Sequence, residues 1–263
     1  MQTVNESLLE DLKIIPGSFG DPYQFGKEIA RTARLALIAK EMNQIEALEI
    51  ALASLRRALT AWLTGKNDDP VVYDTTYGGV VPSNGLKDKY ADYGAGWYSD
   101  HHFHYGYLIY AAAVALKLDP PFAKSFAPHF NAFVRDICTL EESDGSFPFA
   151  RHKDFYDGHS WASGLFSQAN GKGQESSSEA VNAYYAVYLY AMESKQKHLM
   201  NFAHLLLAME IQATKKYWHM PRDNEIYDSV FAASKMIGNL GAFDVTATTW
   251  FGFELEFVHG INM

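Results

Sequence analysis

Two stretches of the chain concentrate the residue types that acid–base chemistry needs. The first is Ser99-Asp100-His101-His102-Phe103-His104-Tyr105-Gly106-Tyr107, where a polar loop runs into a helical pattern. The second runs from Gly171-Lys172-Gly173-Gln174-Glu175 through Ser176-Ser177-Ser178-Glu179 to Asn182. Its positions 175, 179 and 182 fall at i, i+4 and i+7, which places Glu175, Glu179 and Asn182 on one helix face. Hydrolysis of a glycosidic bond uses two carboxyl groups, one to protonate the leaving oxygen and one to activate water or attack the sugar. Asp100 and the Glu175/Glu179 face are candidates for those roles. Each also has a plainer reading, because aspartate suits a helix cap and acids suit a helix N-terminus. Two ionised glutamates four apart repel by roughly 0.2–0.5 kcal/mol, which makes a functional pair the sharper reading. A helix N-terminus is expected to keep Glu175 ionised, as a base requires. The same logic works against Asp100 as an acid. Its proton is held near neutral pH only if burial against Trp97, Tyr98 or Phe103, or a nearby carboxylate, raises its pKa.

Other constellations are weaker. His101 and His104 lie three apart on one helix face, so a metal site is conceivable. The sequence lacks H-E-x-x-H, however, and no nearby second carboxylate completes a familiar ligand set. Gly171-Lys172-Gly173 is not a phosphate loop, because G-x-x-x-x-G-K-[ST] is absent. Asp157-Gly158-His159-Ser160-Trp161 fits either a sugar subsite with the indole as platform or a loop anchored by a buried Trp. Ser160 beside His159 is no triad, since no G-x-S-x-G elbow surrounds it. Lys215, Lys216, Tyr217, Trp218 and His219 close a helix, where cations complement the dipole, and read as structural.

Helical periodicity supplies the frame for these residues. Ile45, Leu48, Leu52, Leu55, Leu59 and Trp62 form one apolar stripe. A preceding helix runs from about Tyr23 to Met42 behind the start signals Asp21 and Pro22. Further helices are expected near 100–118, 121–138, 175–193, 197–217 and 229–240, while 244–258 is ambiguous. Long polar loops at 65–99 and 139–174 carry many aromatics, as functional loops do. Helix pairs joined alternately by short and long loops suggest an all-α hairpin array or toroid with the long loops gathered at one end.

Composition bounds the partners. The 263 residues include 22 Lys+Arg and 31 Asp+Glu, a net charge of −9, which argues against a nucleic-acid partner. The 48% hydrophobic and 20% charged content belongs to a globular chain rather than a disordered one. The lone cysteine, Cys138, excludes an internal disulfide and reads as a buried apolar residue. The first residues, MQTVNESLLEDL, have neither a basic nor an apolar leader region, so no signal peptide and no membrane span are expected, and localisation stays open.

Longer strings then point to a family. DYGAGWYSDHHFHYGYLIYAAAV, DGHSWASGLF, GKGQESSSEAVNAYYAVYLY, LLLAMEIQATKKYWHM and the closing HGINM occur in this order, after DPYQFGK and VVYDTTYGG. Together they resemble glycoside hydrolase family 81 from about Tyr23 onward. The resemblance implies an inverting endo-β-1,3-glucanase whose catalytic domain is an (α/α)6 toroid, with β-1,3-glucan as partner and no metal or other cofactor. It implies Asp100 as general acid, Glu175 as general base and Glu179 as an essential neighbour. Substrate contacts are expected from His104, Tyr105, Asp157, His159, Trp161 and Asn182. Gly173 departs from the family pattern, which has an aspartate there. The resemblance further implies that residues 1–263 form a single, incomplete toroidal domain. The family's β-sandwich and last toroid helices are then absent, and activity alone is weak. The alternative is a non-catalytic glucan-binding remnant.

Overall fold

The computed structural model describes residues 2–17, 20–141, 144–166 and 168–262. The helices are α1 (Gln2–Asp11), α2 (Pro22–Glu41), α3 (Ile45–Leu63), α4 (His101–Leu118), α5 (Pro120–Ser125), α6 (Ala127–Cys138), α7 (Ser177–Glu193), α8 (Lys197–Tyr217) and α9 (Leu255–Ile261). Asp21 starts α2: its side chain accepts from the Gln24 N–H at 2.7 Å, and Pro22 opens the first turn. The pairs α2–α3 and α7–α8 turn tightly through residues 42–44 and 194–196. Asn43 and Lys195 adopt left-handed backbone there, with φ of 53° and 61°.

The centre of the molecule is α4. Nearly every residue from His101 to Leu116 is buried, so the helix has no solvent face and must lie inside. It packs against α2 and α7, which in turn carry α3 and α8, while α6 covers α4 from another side. The crossing with α7 needs a glycine, because a Cβ at Gly106 would come within 2.8 Å of the Ala183 Cα. Phe25 and Trp62 stack at 5.0 Å between α2 and α3, and the surrounding cluster holds most of the core. Cys138 is buried, as its neighbours indicate.

Several expectations change. The α3 stripe turns out of the core at its start: Ile45 is exposed, and Ala47 and Ala51 take the buried positions ahead of Leu55, Leu59 and Trp62. The span 121–138 breaks at Phe126 into α5 and α6, because Pro128 lacks the N–H that a continuous helix would bond. The helix expected from 175 begins at Ser177, with Ser176 as its cap. The region 229–240 holds only a short 3-10 turn, Phe231–Ser234, before a strand. Small sheets form outside the helices: in the first long loop β1 (Val71–Asp74) pairs antiparallel with β2 (Gly79–Pro82), and β3 (Gly173–Gln174), at the end of the second, joins β4 (Asn239–Gly241) and β5 (Val245–Thr246) in another. Among the described residues, no helix is long and apolar enough to cross a membrane.

Candidate active site

The beginnings of α2, α4 and α7 meet at one end of the molecule. Tyr23, in the first turn of α2, lies 4.9 Å from His104 and 6.1 Å from Tyr107 of α4, ring to ring. The Tyr107 hydroxyl donates to Glu179 Oε1 of α7 at 2.9 Å. The polar loops therefore deliver their residues to a common end.

Asp100 occupies the cap position of α4 but does not cap it: its side chain makes no bond to the helix. Its backbone is left-handed, φ 59°, and Asp92, Tyr93 and Tyr98 in the same approach are left-handed too. Such strain persists where the surroundings impose it. Three contacts impose it here. The Asp100 N–H donates to the Ala162 carbonyl at 2.9 Å, and the Leu165 N–H donates to the Trp97 carbonyl at 2.9 Å. Gly164 lies so close to Trp97–Ser99 that any side chain there would collide with their backbone. Beneath them, Tyr98 is buried and donates to Asp74 Oδ2 at 2.8 Å.

Glu175 stands outside the helix, between β3 and the Ser176 cap, whose hydroxyl accepts from the Glu179 N–H. It therefore does not share a helix face with Glu179 and Asn182, which corrects the i, i+4, i+7 reading. Asp100 and Glu175 line one cavity of about 350 Å³, together with Tyr93, Ser163, Asn170, Asn239 and Trp250. Among the described residues that line it, none is a lysine or an arginine.

The two carboxyls are electrostatically unequal. Burial, then the charges of Glu175 and Glu179, push Asp100 well above the ordinary carboxylate range. This meets the condition for an acid that the cap position alone opposed. Burial, then Glu179, raises Glu175 to about 7, and one of its oxygens, Oε2, is buried without a partner. The helix N-terminus was expected to hold Glu175 low, but loss of water outweighs that dipole. The charge of Glu175 is among the causes that lift Asp100, whereas Asp100 is not among those that lift Glu175, which is the pattern of a pair in which Glu175 ionises first. Burial, then Glu179, pushes the phenols of Tyr23 and Tyr107 up, so both remain donors.

The other expected residues divide. His104 is buried under Tyr23 and Tyr93, and burial followed by His101 lowers it to about 3, so its ring is neutral. It supports a wall of the cavity rather than lining it. Tyr105 is fully buried and its hydroxyl donates to the Val80 carbonyl. It belongs to the core, since a helix buried all round turns its neighbour positions away from the cleft. Asn182 is half-buried on α7, one turn beyond Glu179, and its Nδ2 is buried without a partner. Asp157, His159 and Trp161 line a second cavity of about 400 Å³ with Lys172 and Tyr217. Lys172 faces this cavity and Gly173 the first, so the two lie on either side of β3. Trp161 donates from Nε1 to Asp154 Oδ2 at 3.1 Å, and His159 is buried with Nδ1 2.9 Å from the Ser160 carbonyl.

His101 is committed elsewhere, with Nδ1 at 2.6 Å from Asp136 Oδ2 and Nε2 at 2.7 Å from the Ala95 carbonyl. It is therefore not free to pair with His104 on a metal. Among the described residues, no group of three or more His, Cys, Asp and Glu could hold one. Tyr93, Asn170, Asn239 and Trp250 were not foreseen. Trp250 is 72% exposed at the cavity wall; its only sequence signal was an aromatic in the ambiguous stretch 244–258. A Cβ at Gly173 would meet nothing closer than Asn239 Oδ1 at 3.7 Å, so the side chain missing there would have had room.

The profile of the glycosyl hydrolase family 81 C-terminal domain matches residues 2–263. A glucan endo-1,3-beta-D-glucosidase of Glycine max is 35% identical over 234 residues, covering 88% of this chain and 35% of the relative. The primary septum glucan endo-1,3-beta-D-glucosidase of Schizosaccharomyces pombe is 33% identical over 245 residues, covering 92% of this chain and 24% of the relative. The solved structure of glycoside hydrolase family 81 from Clostridium thermocellum superposes with a TM-score of 0.81 at 26% identity, covering 99% of this chain and 36% of that one. The chain thus spans about a third or less of the length of these relatives.

Proposed function

The chain belongs to glycoside hydrolase family 81 through its C-terminal domain, and from that premise we propose that it hydrolyses internal bonds of β-1,3-glucan with Asp100 as general acid and Glu175 as general base. The observation that carries the reading is the placement of these two carboxyls on one cavity without a cation, each lifted by burial and negative neighbours. Asp100, the harder to ionise, retains the proton for the glycosidic oxygen. Glu175 ionises first and takes a proton from the water that attacks the anomeric carbon from the opposite face. Glu179, held by Tyr107, supplies negative charge to both and keeps Asp100 protonated. The exposed ring of Trp250 and that of Tyr93 suit the flat faces of glucose units, and Asn170 and Asn239 suit their hydroxyls. Asp157, His159 and Trp161 fit a further sugar position in the second cavity.

The relatives named above carry the endo-1,3-glucanase activity in their names; the reading extends it to this chain on the strength of the intact carboxyl pair. The same reading makes residues 1–263 one part of an α/α toroid. Its test is reducing-sugar release from laminarin by the wild type and by Asp100→Asn and Glu175→Gln. Activity in the wild type that both substitutions abolish supports it. Laminarin binding without turnover by the wild type would identify a glucan-binding remnant instead.

A further inference from the structure

Immediately behind Glu175 lies a buried polar network that the two-carboxylate chemistry does not use. Lys153 Nζ donates to Glu210 Oε2 of α8 at 2.7 Å, with both side chains fully buried. The other oxygen, Glu210 Oε1, accepts twice from Ser160, from its N–H and from its hydroxyl, each at 3.1 Å. The hydroxyl proton is thereby spent, so Ser160 Oγ serves its remaining neighbours as an acceptor. Those neighbours are His102 Nε2 at 3.0 Å and Gln174 Nε2 at 2.8 Å. The second hydrogen of the Gln174 amide goes to the Ser160 carbonyl at 2.7 Å. Burial, then the nearby His101, His104 and Lys153, holds His102 well below the ordinary imidazole range, so the ring is neutral and, with the Ser160 hydroxyl proton spent on Glu210, its Nε2 carries the donated hydrogen.

The network is placed at a junction. Gln174 directly precedes Glu175, and His102 lies two residues after Asp100. Both side chains, fully buried, converge on the single oxygen Ser160 Oγ. We propose that Ser160, fixed by the buried Lys153–Glu210 pair, is a positioning residue that sets Glu175 against Asp100. A buried ion pair is a poor source of net stability, since desolvation offsets its attraction. It is a good source of geometry when every remaining hydrogen-bonding site is filled, as at Ser160 Oγ and Glu210 Oε1. Ser160 touches neither substrate nor water in this role; it acts through Gln174 and His102.

The inference rests on the assignment of Asp100 and Glu175 given above, and the test separates the two. Ser160→Ala removes the shared oxygen while keeping the backbone bonds, and Gln174→Met removes the amide at nearly constant length. Steady-state kinetics on laminarin should show kcat lower by about 10- to 100-fold, the size of effect that a small misplacement of a reacting group produces. KM should stay within about twofold. The acidic limb of the kcat profile, set by Glu175, should shift, and so should the Glu175 carboxyl titration followed by carbon-13 NMR. The NMR titration needs no turnover. If the wild type does not cut laminarin but the Glu175 titration moves in both variants, the glucanase reading fails and the positioning role stands. If the wild type is active and a folded variant keeps kcat, pH profile and titration while losing only melting temperature, Ser160 is merely structural and the inference is overturned. Should Ser160→Ala not fold, Gln174→Met decides alone by the same readouts.

Discussion

Two acidic regions withdrawn from water meet at the start of α4, one at Asp100 and one through its neighbour His101, and they behave in opposite ways. Asp136 has no exposed surface, yet its carboxylate is held below the ordinary range. Burial alone would raise it, but His101, Arg151 and the Val80 N–H outweigh burial. Asp100 and Glu175 are half-buried on a cavity whose described lining residues include no lysine or arginine, and both are held above that range, first by loss of water and then by carboxylate neighbours. Loss of water pushes all three carboxyls upward, so the partner decides. A paired acid fastens β2 and the loop at Arg151 to α4 and α6. An unpaired pair is a poor fastener, and such perturbed groups in a cavity mark chemistry.

The comparison breaks first at Asp100. Asp100→Asn should lower laminarin turnover by about 10²- to 10⁴-fold, the usual share of a general acid. The melting temperature should stay near that of the wild type, as judged by circular dichroism. The second break is the mirror image. Asp136→Asn leaves His101 and Arg151 facing a neutral amide and should reduce unfolding free energy by about 3–5 kcal/mol in urea titration.

The sign of pH dependence sharpens the contrast further. The folded chain holds the Glu175 proton more tightly than the unfolded chain does, so ionising it costs stability. That cost is absent below the ordinary value of 4.5 and complete above about 7. Glu175→Gln should therefore flatten the fall of melting temperature across this window and melt above the wild type at pH 8. Asp136 works the other way: its contribution is present above 3.8 and is lost as pH falls through its lowered pKa. The smallest effect is expected at the rim. Trp250→Ala should raise KM for laminarin by about 2- to 10-fold, the worth of one stacked ring, with no change in melting temperature because the ring is mostly exposed.

Much of this was legible in the sequence. The stripe ending in Leu55, Leu59 and Trp62, the Asp21-Pro22 start and the two carboxyl strings reflect periodicity, capping and residue type, which are local properties. The buried Trp218 fulfils the structural reading of the chain around it. What escaped depends on contacts distant in sequence. Glu175 leaves the helix because Ser176 caps it and Gln174 pairs with Leu240 in β4. Tyr105, expected at the substrate from the resemblance, is a core residue; α4 is buried on all sides, so its sequence offers no amphipathic contrast by which its faces could be sorted. Asp157, His159 and Trp161 were expected to contact substrate from a separate loop, and they line a second cavity of their own with Lys172 and Tyr217. Trp250 comes to the carboxyls from a stretch without clear periodicity.

The most direct test of the account is a carbon-13 titration of Asp100, Glu175 and Asp136 in one labelled sample. The account predicts that Glu175 ionises near pH 7, that Asp100 keeps its proton beyond that point, and that Asp136 is ionised throughout. Ionisation of Asp100 within the ordinary carboxylate range, before Glu175, would contradict it.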